Sequence, residues 1–310
     1  MIANLILKII TLYLYILIGY GVRYLFSISH KFFSKILFFV LIPAMVFKAI
    51  LLSEAGIFLF LVGLSFFTSF LLAVLSLLFW EKFKTLSISK GVFQCCYSYF
   101  NVGWFGIPIV YVIFGEQEAF SMTALYIGGM LFGHFVGYYL INKQLTLQTA
   151  QPKYDFRALL KNPSIYAIIL GFGLSYFNAE EIIETSFVNS LYYIIAILTS
   201  FFGMFLVGMS LYGLSIKNVQ WKLISFFLIS RLFLSAMVVS GLVFLLKYFQ
   251  VLSSAQINTY ALIAILPIAA NIIVFIQDQE DKNKEVPILL LLSTTLSCFI
   301  LSIFIFILNF

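Results

Sequence analysis

The chain has 310 residues, 63% of them hydrophobic and 10% charged, with a mean hydropathy of +1.10 and a formal net charge of +6. That much apolar surface cannot be hidden in a water-soluble core, so lipid must be the solvent; the positive charge then belongs to Lys and Arg facing an inner leaflet and needs no nucleic-acid partner. Stretches continuously apolar for about twenty residues exclude a barrel, whose strands alternate over about ten, and call for helices crossing a hydrocarbon core of about 30 Å.

In chain order, spans are predicted at about 3–22, 32–51, 57–79, 89–114, 119–141, 162–178, 186–213, 221–247, 255–277 and 286–308. The first is interrupted by Lys8, follows no basic n-region and precedes no small-residue cleavage site, so it reads as a retained span and not a signal peptide. A polar connection at 142–161 divides the chain into a first half at 1–141 and a second at 162–310, each with five spans. Two similar halves with an odd number of spans insert with opposite orientation, the layout of an inverted-repeat transporter. The expected fold is therefore an all-α integral membrane protein of ten transmembrane helices in a 5+5 inverted repeat.

Basic residues sort onto one side of this layout. Arg23, Lys31, Lys35, Lys82, Lys84, Lys90, Lys143, Lys153, Arg157, Lys161, Lys217, Lys222, Lys282 and Lys284 share the side of the central loop, whereas Lys8, Lys48 and Lys247 lie opposite. The positive-inside rule makes the central loop cytoplasmic and turns both termini outward, in the cell membrane.

The fourth span contains Asn101-Val-Gly-Trp-Phe-Gly-Ile-Pro108 where an ordinary membrane helix would carry Leu, Ile and Val. Pro108 lacks an N–H and crowds the Trp104 carbonyl, while Gly103 and Gly106 permit unusual backbone angles, so the helix is predicted to break. Asn101 falls about eleven residues into its span, or about 16 Å deep, near the midplane. The ninth span carries a comparable interruption, Leu266-Pro267-Ile-Ala-Ala-Asn271. Matched broken helices in two halves point to a transporter's binding site, and half-helix N-termini with free N–H groups and the Asn101 and Asn271 amides suit a carboxylate. A pair of ordinary proline kinks is the plain alternative.

Arg231 lies about 15 Å into the eighth span. An intramembrane arginine either compensates an anionic substrate, holds the carbonyl ends of a broken helix, or serves as a structural donor. His134 in the fifth span is either a proton relay or a packed, hydrogen-bonded side chain, Gln94 either lines the same cavity as Asn101 or packs, and Trp104 either meets a ligand or packs. The cluster Asp278, Glu280, Asp281, Lys282, Lys284 and Glu285 reads as a solvated cytoplasmic loop. Cys95, Cys96 and Cys298 have neither metal-ligand spacing nor a disulfide pattern, and neither cofactor nor metal is expected. No Asp or Glu lies near the midplane of any predicted span, which favours an anionic or neutral organic substrate over a cation.

The interrupted stretches Asn101 to Pro108 and Pro267 to Asn271 resemble the auxin efflux carrier family, which includes plant PIN-type auxin exporters and bacterial permeases for malate or malonate. Ile42-Pro43-Ala44 with Phe47, Asn162-Pro163, and Leu292-Ser293-Thr294-Thr295-Leu296-Ser297 add to the likeness. The resemblance implies a fold like that of bile-acid/sodium symporters and Na+/H+ antiporters, with spans four and nine crossing at Pro108 and Pro267. It further implies a scaffold of spans one, two, six and seven, a transport domain of the others moving as an elevator, a homodimer through the scaffold, and substrate beside Asn101, Gly103, Gly106 and Asn271. The expected function is secondary transport of a small organic anion, a mono- or dicarboxylate, by alternating access, with no enzymatic activity. The alternatives are a ligand-binding membrane sensor that does not transport, and an H+- or Na+-coupled symporter of another organic solute.

Overall fold

A computed structural model describes residues 2–26, 28, 31–142, 162–177, 186–210, 212, 219–276, 283 and 285–308. Nearly all of the loop at 142–161, and the charged stretch at 278–282 with Lys284, lie outside them. The described residues are almost entirely helical and contain no strand beyond one isolated bridge. In order the helices are α1 (Ile2–Phe26), α2 (Lys31–Ile36), α3 (Ile42–Leu52), α4 (Ala55–Leu75), α5 (Trp80–Phe83), α6 (Lys90–Ser98), α7 (Ile107–Ile113), α8 (Glu116–Phe132), α9 (Pro163–Tyr176), α10 (Ser186–Ser210), α11 (Trp221–Phe249), α12 (Ser254–Ala261), α13 (Asn271–Phe275) and α14 (Val286–Leu308).

Among the described residues, six helices are long and apolar enough to cross a membrane: Phe32–Leu52, Ala55–Leu78, Glu116–Asn142, Val188–Met209, Trp221–Phe249 and Val286–Ile303. Their surfaces fit lipid. On α11, Ile229, Phe233 and Met237 follow one another at a spacing of four and are exposed, Phe233 by 66%, while Phe227, Leu234 and Val238 are buried on another face. A helix apolar on both its packed and its open face is stable only where the solvent is itself apolar. The protein is a multi-pass membrane protein.

Wide helical turns occur at Leu37–Leu41 and Val102–Gly106, each ending two residues before a proline in the first turn of the next α-helix, Pro43 and Pro108. The proline ring crowds the carbonyl four residues back, Phe39 or Trp104, and the ladder widens to let it out. A third wide turn, Gly133–Gly137, has no proline. There His134 Nδ1 lies 2.9 Å from the Met130 carbonyl, the acceptor that an α-helix would assign to the His134 N–H.

The chain divides into two compact units, each with segments from both sides of the central loop. The first comprises Met1–Val62, Val102–Tyr126 and Arg157–Gly213. Within it α1 packs on α10 with almost no space between backbones: a Cβ at Gly208 would run into the Ile16 carbonyl, and one at Gly19 into the Phe205 carbonyl. Small residues that admit close backbone approach are how helices associate where no hydrophobic force distinguishes protein from lipid. The start of α9 is set by Asn162, whose side chain accepts from the Ser164 N–H at 3.0 Å, followed by Pro163 in the first turn. Further along α9, Gly171 meets Ile50 of α3.

The second unit comprises Gly63–Asn101, Ile127–Phe156 and Leu214–Phe310. Here α12 opens with a capping box, Ser253 accepting from the Gln256 N–H while the Gln256 side chain accepts from the Ser253 N–H. It continues as a tighter turn at Leu262–Ile265 and stops before Pro267. Polar side chains tie this unit together inside the membrane-spanning region: Thr68 with Tyr260 at 2.7 Å, Tyr97 with Ser230 at 2.6 Å, and Ser235 donating to the Ala264 carbonyl at 2.8 Å.

The resemblance implied a division by whole spans; the first unit takes in spans one, two, six and seven, but the division cuts other spans. Helices α4 and α8 each contribute residues to both units, and the fourth predicted span changes unit between Asn101 and Val102. A helix of 21 residues such as α4 is about 32 Å long, so its two ends need not share neighbours.

Candidate functional site

Both predicted interruptions are present. α6 ends at Ser98 with Tyr99 extended, and the turn at Leu262–Ile265 ends with Leu266 extended. The two extended pieces meet inside the second unit. Phe100 and Ile268 form an antiparallel bridge, in which the Asn101 N–H donates to the Pro267 carbonyl and the Ala269 N–H donates to the Tyr99 carbonyl, both at 2.9 Å. This is how the second unit meets the cost of stopping helices at membrane depth: backbone groups released by one interruption are satisfied by the other. The Ile268 N–H, which lies between the bridge bonds, donates to Ser293 Oγ of α14 at 3.2 Å.

Arg231 from α11 reaches the same place. Its Nε donates to the Cys96 carbonyl at 2.9 Å and one terminal nitrogen donates to the Leu266 carbonyl at 3.0 Å. Its guanidinium lies over the Phe100 ring at 4.9 Å, and the residue is 1% exposed. Of the roles open to it from sequence, the geometry shows the holding of carbonyl ends. Both acceptors lie where a helical run stops, so the cation faces two partially negative helix ends.

Asn101 is 8% exposed, and its carboxamide has no hydrogen-bond partner among the described residues. Asn271 begins α13 and donates through Nδ2 to the Tyr99 hydroxyl at 3.4 Å, a long bond. The Tyr99 ring stacks on Phe275, with centroids 6.3 Å apart and planes 6° apart, and His134 and Tyr138 present edges to the same Phe275 ring. Gly133 makes room for Tyr99, since a Cβ there would come within 2.6 Å of the tyrosine ring. Because a carbonyl only accepts, His134 Nδ1 must carry the proton in its bond to Met130, which leaves Nε2 as an acceptor in the neutral ring. Asn101, Asn271, Pro267, Arg231 and His134 thus all belong to the second unit, the first four at the bridge or in contact with its residues.

Other predicted site residues are occupied elsewhere. Gln94 donates to the Ala73 carbonyl of α4 at 3.1 Å. Gly103, Gly106 and Pro108 belong to the first unit. Gly103 has a packing reason to be small, since a Cβ would stand 2.8 Å from the Tyr126 ring. Trp104 and Pro108 pack on α10, where a Cβ at Gly203 would lie 2.6 Å from the Trp104 carbonyl, and Ser200 donates to the Pro108 carbonyl at 3.3 Å. Ser200 and Gly203, three apart on one helix face, form a small-residue seat that sequence reading passed over.

A second buried cation was also missed. Counted by sequence as an outer-side base, Lys48 of α3 is 2% exposed. It pairs with Glu116 at 2.5 Å, donates to Asn189 at 3.2 Å and lies 5.1 Å from the centre of the Tyr192 ring. The available signal was a lysine inside an otherwise apolar stretch, which needs a named partner. Among the described residues no group of three or more His, Cys, Asp or Glu is arranged to hold a metal ion. No protein-family model and no curated protein matches the chain.

Proposed function

We propose that this protein is a secondary transporter of a small organic anion, a mono- or dicarboxylate, working by alternating access in the cell membrane with its central loop cytoplasmic and both termini outside. In this reading the chain is a member of the auxin efflux carrier family, has ten spans in a 5+5 inverted repeat, and carries out no bond-making chemistry. The observation that carries the proposal is the antiparallel bridge between the two interruptions, with an unpartnered Asn101 carboxamide beside it. Irregular backbone is tolerated at membrane depth where it is buried in protein or lines a path for solute, and discontinuous helices in corresponding places are the hallmark of carrier sites. Arg231 adds a fixed positive charge next to the bridge, with no carboxylate paired to it among the described residues, which favours an anion as cargo.

Purified protein in liposomes should take up a labelled dicarboxylate or aromatic monocarboxylate and lose that flux with Asn101→Ala. Because the Asn101 carboxamide has no protein partner, the substitution should leave thermal stability within about 0.5 kcal/mol of the parent. Unchanged flux in both Asn101→Ala and Asn271→Ala would remove these residues from the site. Saturable binding of the same acids with no flux would favour the sensor.

A further inference from the structure

Converging carbonyl ends of broken helices are a cation site by their chemistry. Carriers driven by Na+ take up the ion on unwound backbone carbonyls and half-helix C-terminal ends, because such oxygens replace its hydration shell. In the second unit two ends of this kind converge. The Cys96 carbonyl has lost its helical partner because the chain turns extended at Tyr99, and the Leu266 carbonyl precedes Pro267, at the end of a helical run that begins at Ser254. A guanidinium bonds both of them at 2.9 and 3.0 Å. No carboxylate neutralises it among the described residues, so the two carbonyl dipoles and the face of Phe100 stabilise the cation while its net positive charge remains.

We propose that the Arg231 guanidinium is a tethered substitute for a coupling cation, holding the two carbonyl ends as Na+ would, so that transport requires no monovalent-cation gradient. The inference rests on the transporter reading for its second half only. Its first half concerns the folded protein and can be tested without any flux. Arginine suits the role because its planar fork reaches two acceptors at once, whereas a lysine ammonium is a single point. Arg231 is accordingly a positioning residue: it fixes the separation of the extended segments that carry Asn101 and Pro267 without itself having to meet substrate.

The test compares thermal unfolding of the full-length protein in detergent, at constant ionic strength, in chloride salts of N-methyl-glucamine, sodium, potassium and, at low millimolar concentration, guanidinium. The parent should melt at the same temperature in all four. Arg231→Ala should melt about 5–10 °C lower in N-methyl-glucamine, from the loss of two charge-assisted bonds in a chain of this length, and regain at least about half of that with sodium as well as with guanidinium. Arg231→Lys should fall between the two. A purely structural arginine predicts a melting loss that guanidinium, which supplies the same N–H donors, can restore but sodium cannot, and that result would overturn the proposal. So would stabilisation of the parent by sodium.

Should Arg231→Ala yield no folded protein, Arg231→Gln serves in its place, and flux through the parent decides in any case. Uptake that is equal with sodium and with N-methyl-glucamine supports the proposal, and uptake that needs sodium refutes it. If the parent carries no tested carboxylate at all, the transporter reading fails while the melting data still decide whether the guanidinium replaces a cation.

Discussion

The buried ion pair of the first unit makes an asymmetric prediction. Lys48 is 2% exposed and Glu116 is 46% exposed, so neutralising either one deletes the same ion pair but leaves very different remnants. Lys48→Met takes away the desolvated charge and fills its volume with an apolar chain; Glu116 and the exposed Asn189 side chain are left where solvent reaches them. Replacing a buried charge by a well-packed apolar group is often neutral, so the expected loss is under about 0.5 kcal/mol. Glu116→Gln leaves the ammonium buried without a counter-charge, with only the neutral amide oxygens at 116 and Asn189 and the Tyr192 ring as its partners. Breaking a fully buried pair costs about 3–5 kcal/mol, and discounting for the half-open side of Glu116 leaves about 1–2 kcal/mol. For a chain of 310 residues this is a fall of about 2–3 °C in melting temperature, against under 1 °C for Lys48→Met. Detergent-phase thermal unfolding of the two single variants and the double variant measures it, and Glu116→Gln should cost almost nothing once Lys48 is Met. Equal losses in the two singles, or a larger one in Lys48→Met, would show that the desolvation of Lys48 is not what governs this pair.

Gly208→Ala places a methyl against the Ile16 carbonyl and the Tyr20 N–H, backbone atoms that cannot rotate aside, and should destabilise the α1 and α10 contact by about 1–3 kcal/mol; a melting temperature equal to the parent's would refute that packing. Ser293→Ala leaves the Ile268 N–H without its acceptor and should cost about 1–3 kcal/mol, with faster hydrogen exchange at the Ile268 amide as the local readout and unchanged exchange as the contrary result. Asn162→Ala removes the cap of α9 and should cost about 0.5–2 kcal/mol, whereas Asn162→Asp should recover most of it; equal stability of the alanine variant would mean that the Ser164 N–H finds another acceptor.

The six long apolar helices were legible because length and continuous hydrophobicity decide them without reference to partners. The break before Pro267 was legible for a local reason, since proline deletes a donor and disfavours a helical residue ahead of it, and Pro108 likewise accounts for the wide turn at Val102–Gly106; the extended stretch from Tyr99 to Asn101 lies out of reach of Pro108 and was not placed by it. What the carbonyls did next was not legible. That Cys96 and Leu266 share one arginine depends on bringing residues 96, 231 and 266 together, and no spacing in the sequence encodes that. The same holds for Gln94: being near Asn101 along the chain suggested a shared cavity, but its direction is set by the Ala73 carbonyl on a neighbouring helix. Gly103 looked like an opening for a ligand because glycine reads identically whether the space beside it is empty or filled, and here the Tyr126 ring fills it. Lys48 was misread as a simple topological charge for want of its partner, which lies 68 residues further along the chain.

The bridge at Phe100 and Ile268 is made wholly of main-chain groups. Any residue except proline can supply the donors at 101 and 269, and every residue can supply the acceptors at 99 and 267. Side chains on these segments can therefore be exchanged over generations while the join between them is kept. A protein built this way can change what it recognises one substitution at a time, without first having to rebuild the frame that presents the recognising groups.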